Sequence, residues 1–175
     1  MKKVTILSST NRKNSFTLKV AKFYSQILSE NDLDAKILSL ENLPESFLFS
    51  DTFGSRTVEF QSIIDEYISD VSLFVFIVPE YNGSFPGILK GFLDAVPPSA
   101  WKDKKAGLVG VAQGRAGNLR GIEQLTLVLN YLKVFVHYNK LPISGIESLF
   151  DNNDNLIHEP TKLALAQHKD GLLGF

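Results

Sequence analysis

Two hydrophobic periods alternate along the chain. Val4–Leu7 is a short apolar run that reads as a strand, and from Phe16 onward Val20, Phe23, Tyr24, Ile27 and Leu28 recur at helical spacing. Ser15 or Asn14 can cap that helix. Ala35–Leu40 reads as a second strand, and residues 41–56 as a loop broken by Pro44, Asp51 and Gly54. A helix then carries Phe60, Ile63, Ile64, Tyr67 and Ile68 on one face. The run Leu73-Phe74-Val75-Phe76-Ile77-Val78 is apolar without alternation, the pattern of a parallel strand covered on both faces. Pro79 ends it. Ile88, Leu89, Phe92, Leu93 and Val96 mark a helix with Pro86 near its first turn, closed by Pro97-Pro98. Ala106–Val111, residues 118–132, Val134–Tyr138 and residues 160–170 follow as strand, helix, strand and helix.

Five strands separated by helices predict an α/β protein with a five-stranded, mostly parallel sheet and helices on both faces. No repeat, low-complexity stretch or linker interrupts the pattern, so residues 1–175 are expected to form a single domain. In such sheets ligands sit at the carboxyl ends of the strands, near the point where strand order reverses. That directs attention to the loops after strands one, three and four.

Composition narrows the chemistry. The chain has no cysteine, which removes disulfides, thiolate metal sites and a cysteine nucleophile, and leaves redox chemistry to a bound cofactor. A formal net charge of -1 gives no reason to expect nucleic acid or an anionic membrane as a partner. The first apolar run is too short for a secretory leader, and no run approaches the roughly 18 residues of a spanning helix, so a cytoplasmic location is expected. His137, His158 and His168 lack metal-ligand spacing and read as surface or packing residues.

The loop Ser8–Thr17 offers hydroxyls, two asparagines, Arg12 and Lys13, and runs into a helix N-terminus whose free N–H groups favour an anion. It is neither a Walker A motif nor a GxGxxG fingerprint. A polar loop with a capped helix would look the same. The loop Pro79–Gly87 combines Tyr81, Asn82, Gly83 and Ser84. Its glycines allow close approach to a flat ligand, its backbone can read the edge of a heteroaromatic ring, and Tyr81 can pack on that ring. Ser84 could equally cap the next helix. The loop Ala112–Asn118 adds two glycines and Arg115.

On these residues the chain resembles the NADPH-dependent FMN reductase family, the flavodoxin-like group that includes azo-, quinone- and chromate-reducing members, which implies an α/β flavodoxin-like three-layer sandwich. The family's P-E-Y-N-G-S-x-P-G-x-L-K-x-x-x-D motif matches Pro79, Glu80, Tyr81, Asn82, Gly83, Ser84, Pro86, Gly87, Leu89, Lys90 and Asp94 without a gap. The G-S-x-R-x-x-S motif aligns with Ser9, Thr10, Arg12 and Ser15, and the G-R-x-G segment with Gly114, Arg115 and Gly117. The resemblance runs from the first strand to about residue 145.

It implies an FMN phosphate held by the Ser9–Thr17 loop through Thr10, Arg12, Ser15, Phe16 and Thr17. The isoalloxazine would lie on Pro79, Glu80, Tyr81, Asn82, Gly83 and Ser84, with Gln113, Gly114 and Arg115 at its other edge. NADPH or NADH would deliver hydride and a small acceptor (flavin, quinone or azo compound) would follow in a ping-pong cycle. No side-chain acid, base or nucleophile is required, so no catalytic residue is named. The resemblance also implies a homodimer or homotetramer, in which Phe47, Phe49 and Phe53 would line a partner's flavin. Trp101 is a core or subunit-contact candidate, and Lys90 and Asp94 read as a helix-surface pair at i,i+4 spacing. One departure stands out: Ser9 occupies a position where the family has glycine, which predicts an altered first turn if that residue needs positive φ. A non-enzymatic flavodoxin-type carrier and a flavin-free binding module on the same fold are the competing functions.

Overall fold

The computed structural model describes residues 3–31 and 33–175. Parallel strands β1 (Lys3–Ser8), β2 (Asp34–Ser39), β3 (Leu73–Pro79) and β4 (Lys105–Val111) form a sheet in the order β2-β1-β3-β4. The far edge is shared by two short strands, β5 (Phe135–Val136) and β6 (Leu141–Ile143). β5 pairs with Lys105 and Ala106 of β4, and β6 with Val109–Val111. The fifth strand expected over Val134–Tyr138 is therefore two pieces at one edge position. A break and a proline are tolerated there because an edge strand pairs on one side only, and Pro142 lies opposite Gly110.

β3 shows why its sequence lacks alternation. Phe74, Phe76 and Val78 enter the core under the helices α3 (Val58–Ile64), α4 (Gly87–Ala95) and α5 (Leu119–Tyr131). Leu73, Val75 and Ile77 enter the core under α1 (Phe16–Ser29) and α6 (Glu159–Leu173). Successive side chains leave a strand on opposite faces, so a strand roofed on both sides must be apolar throughout. Trp101 is fully buried among Phe74, Phe76 and Phe92, which makes it a core residue and not a subunit contact.

The segment 41–56 is more ordered than a loop. It holds a short helix α2 (Phe47–Ser50). Phe47 stacks on Phe60 with ring centroids 5.6 Å apart and is buried, so it belongs to the core and cannot line a partner's site. Phe49 and Phe53, by contrast, are 95% and 88% exposed. The rest of the segment is pinned. Asp51 Oδ1 accepts from the Thr57 N–H at 2.5 Å and the Thr57 hydroxyl at 2.8 Å, and Arg56 donates twice to the Ala95 carbonyl. Burial pushes the Asp51 carboxyl up, but the bonds from Ser50 and Thr57 and the nearby Arg56 outweigh it and hold the group below the usual carboxylate range.

Candidate functional site

A cavity of about 400 Å³ opens at the carboxyl ends of β1, β3 and β4, within the span usual for small-molecule sites. It is lined by Arg12–Thr17 after β1, Pro79–Tyr81 after β3 and Val111–Gln113 after β4, with Ile146 and Glu147 from beyond β6. Three loops distant in sequence meet because parallel strands carry all their carboxyl ends to one edge of the sheet.

The β1 loop ends in a built helix start. Ser15 is extended, and its hydroxyl accepts from the Leu18 N–H at 3.2 Å. Asn14 precedes it at φ 53. Capping by Ser15 leaves the N–H groups of Phe16 and Thr17 without a helical carbonyl, on a helix start that lines the cavity beside Arg12 and Lys13. Thr10 is buried, and its Oγ1 lies 2.7 Å from the Tyr81 hydroxyl while accepting from the Arg12 N–H at 3.2 Å. Ser9 does not face the cavity: its hydroxyl turns back toward the Leu7 carbonyl at 3.4 Å and its N–H donates to Ile77. Ser9 is also not among the residues at positive φ, so serine sits there without the strain a glycine-only conformation would impose.

The β3 loop is a tight hairpin. Tyr81 and Ser84 exchange backbone bonds of 2.9 and 3.1 Å around Asn82 at φ 53 and Gly83 at φ 79, the two positive φ values of a type I′ turn. Ser84 does not cap α4. Its hydroxyl pairs with Gln124 on α5, and Pro86 takes the N-cap position without a side-chain bond. Glu80 faces Arg120 of α5 at 3.9 Å. Lys90 and Asp94 form the expected pair at 2.8 Å on the surface of α4.

In the β4 loop Gln113 reaches the cavity, and its Oε1 accepts from the Glu147 N–H at 3.2 Å. Gly114 and Arg115 stand outside the cavity wall in exposed chain. The segment carrying Ile146 and Glu147 is docked by bonds from Gly145 to Gln113 and from Ile146 to Ala112. Nothing in the sequence around residues 144–147 announces this role, apart from Gly145 at φ 60.

The donors fit a flat ligand with a phosphate monoester. Hydroxyls, helix N–H groups and two cations line the cavity from the β1 loop, and Tyr81 at the start of the β3 hairpin adds an aromatic side chain. Among the described residues no group of side chains is arranged to hold a metal ion, and no helix is long and apolar enough to cross a membrane.

Comparison with known proteins places this architecture. The solved structure of a flavoenzyme NAD(P)H:(acceptor) oxidoreductase from Paracoccus denitrificans superposes with a TM-score of 0.75 at 21% identity, over 98% of this chain and 96% of that one. The class is thus the flavodoxin-like α/β fold. Residues 2–145 match the family described as NADPH-dependent FMN reductase, and the chain belongs to it. It is accordingly an oxidoreductase whose cofactors are FMN and a nicotinamide nucleotide. A 2-hydroxy-1,4-benzoquinone reductase of Burkholderia sp is 28% identical over 173 residues, 96% of this chain and 92% of the relative. An FMN-dependent NADPH-azoreductase of Staphylococcus aureus is 32% identical over 117 residues, 65% of this chain and 62% of the relative.

Proposed function

We propose that the protein is an NAD(P)H:quinone reductase that works through FMN held in the cavity described above. The observation that carries this reading is the convergence of all three strand-end loops on one cavity that also takes in the N-terminus of α1. The quinone is chosen because the relative matched over nearly its full length is a benzoquinone reductase.

In this reading Arg12, Ser15 and the Phe16 and Thr17 N–H groups bind the phosphate. Ser9 and Thr10 act by shaping the loop. The ring lies against Pro79, Glu80 and Tyr81 with Gln113 toward its other edge, while Asn82–Ser84, Gly114 and Arg115 stand outside the cavity lining. Bound FMN would supply the chemistry, relaying the nicotinamide's hydride to the quinone, with a proton from solvent completing the hydroquinone. Donor and acceptor would occupy the same cavity in turn, a ping-pong cycle in which the chain would bind and orient them and provide no acid, base or nucleophile.

The chain works as a homodimer or homotetramer. Phe49 and Phe53 stand bare on a segment that Asp51 and Arg56 hold rigid, and Leu127 and Tyr131 are exposed on α5. A rigid exposed aromatic pair suits an interface with a second copy.

The test is an absorbance spectrum of the purified protein with added FMN, before and after anaerobic NADPH. Bound flavin bands that bleach, and return on addition of benzoquinone, support the reading. Bands that persist with NADPH point to a carrier reduced by another protein. A protein that takes up no FMN overturns the reading.

A further inference from the structure

Asn118 sits at the junction between β4 and α5, in the left-handed region at φ 66, with its side chain fully buried. Its Nδ2 donates to the Val78 carbonyl at 2.8 Å. Val78 is the penultimate residue of β3, and the next residues form the Pro79–Phe85 loop. The amide thus ties the loop after β4 to the root of the loop after β3. Its other end, Oδ1, is buried without a hydrogen-bond partner among the described residues. A Cβ on Gly121 would come within 2.2 Å of that oxygen and 2.8 Å of the Phe85 backbone nitrogen, so only a glycine lets α5 pack this closely on the amide and on the β3 loop. Two further contacts reach the same loop from α5: Gln124 to the Ser84 hydroxyl and Arg120 to Glu80.

We infer that Asn118 is a positioning residue that sets the register between the two loops flanking the flavin ring, by holding the Val78 carbonyl through Nδ2. This rests on the FMN reading of the cavity. Deleting the amide removes the one side-chain bond from the β4–α5 junction to the end of β3, so the two loops lose a fixed spacing. Asn118 touches no reacting atom, so its effect falls on how tightly and in what environment FMN is held.

The experiment compares wild type with N118G and N118D as full-length chains. N118G keeps a residue at ease in the left-handed region and deletes only the amide. N118D keeps the shape but sets a carboxylate oxygen against the Val78 carbonyl. The readouts are the FMN dissociation constant by fluorescence titration, the visible spectrum of bound FMN, and hydrogen exchange of the Phe85 amide with and without FMN. Both variants are expected to bind FMN about tenfold more weakly, which corresponds to about 1.4 kcal/mol. They should also shift the flavin bands and speed Phe85 exchange in the FMN-bound protein, while the melting temperature of FMN-free N118G stays within a few degrees of wild type. If wild type binds FMN and N118G binds it as tightly with an unchanged spectrum, the inference is overturned and the reading of the cavity stands. If wild type takes up no FMN, both fall together.

Discussion

The Tyr81 hydroxyl and the Thr10 Oγ1, 71 residues apart in sequence, lie 2.7 Å from one another and join the hairpin after β3 to the loop after β1. A net hydrogen bond of this kind is worth roughly 1 kcal/mol, and removing one partner leaves Thr10, which is buried, to rely on the Arg12 N–H. Tyr81→Phe keeps the ring and removes the tie. The expected outcome is FMN binding weakened by about fivefold, with the melting temperature lowered by only about 2–4 °C. Isothermal titration with FMN checks it, and unchanged affinity would show that the tie does not preorganise the cavity.

Arg12 contributes charge where the helix N–H groups contribute direction. Hydrogen bonds to charged partners are worth roughly 1.5–3 kcal/mol, so Arg12→Ala should weaken FMN binding by about ten- to a hundredfold. Riboflavin, which lacks the phosphate, is the control. Its affinity should be the same in wild type and variant, and a parallel loss for riboflavin would place Arg12 at the ring instead.

The legible parts of the sequence were those in which a residue's role is set by its own neighbours. β3 declared itself because both its faces are roofed, and Ser15 declared itself because a cap acts within one turn. The β3 loop was marked by its family motif, but its hairpin turn, with Asn82 and Gly83 at positive φ, was not foreseen. The parts that stayed hidden depend on distant contacts. α2 spans only four residues, too few for helical spacing to show, and nothing local separates buried Phe47 from exposed Phe49. Ile146 and Glu147 reach the cavity only through bonds to Ala112 and Gln113. The split edge strand follows from which half of β4 each piece pairs with, which the apolar pattern of 134–143 does not encode.

Phe49 and Phe53 test the assembly. If they form a subunit interface, F49S together with F53S should convert a dimer or tetramer to a monomer in sedimentation velocity, because interface aromatics carry a large share of association energy. The substitutions lie on an exposed surface, so the melting temperature of the monomer should hold within the small range of surface changes, about 0.5 kcal/mol each. An assembly that survives the double substitution would place the interface on another face.

The last prediction concerns acid. His168 is fully buried on α6, its Nδ1 lies 2.8 Å from the Tyr24 hydroxyl on α1, and its ring packs against His137, which follows β5. Burial, and after it Asp170, pushes the Tyr24 hydroxyl well above its ordinary range, so Tyr24 donates and His168 Nδ1 accepts. Burial, followed by the neighbouring His137, lowers His168 from 6.5 to about 4, with a backbone group of Leu108 pulling the other way. A base depressed in the folded state stays neutral while the unfolded chain takes up a proton. Stability is therefore complete above pH 6.5, falls as pH drops toward 4, and falls no further on this account below 4. The full loss across that window is about 3 kcal/mol. Asp51 and Asp151, both held below the usual carboxylate range, give up their stabilisation at lower pH still. Urea unfolding at pH 7.5 and pH 4.5 should show the loss in wild type and a clearly smaller one in His168→Gln, whose amide can still accept from Tyr24 but does not titrate. Equal losses in the two proteins would assign acid sensitivity to other groups.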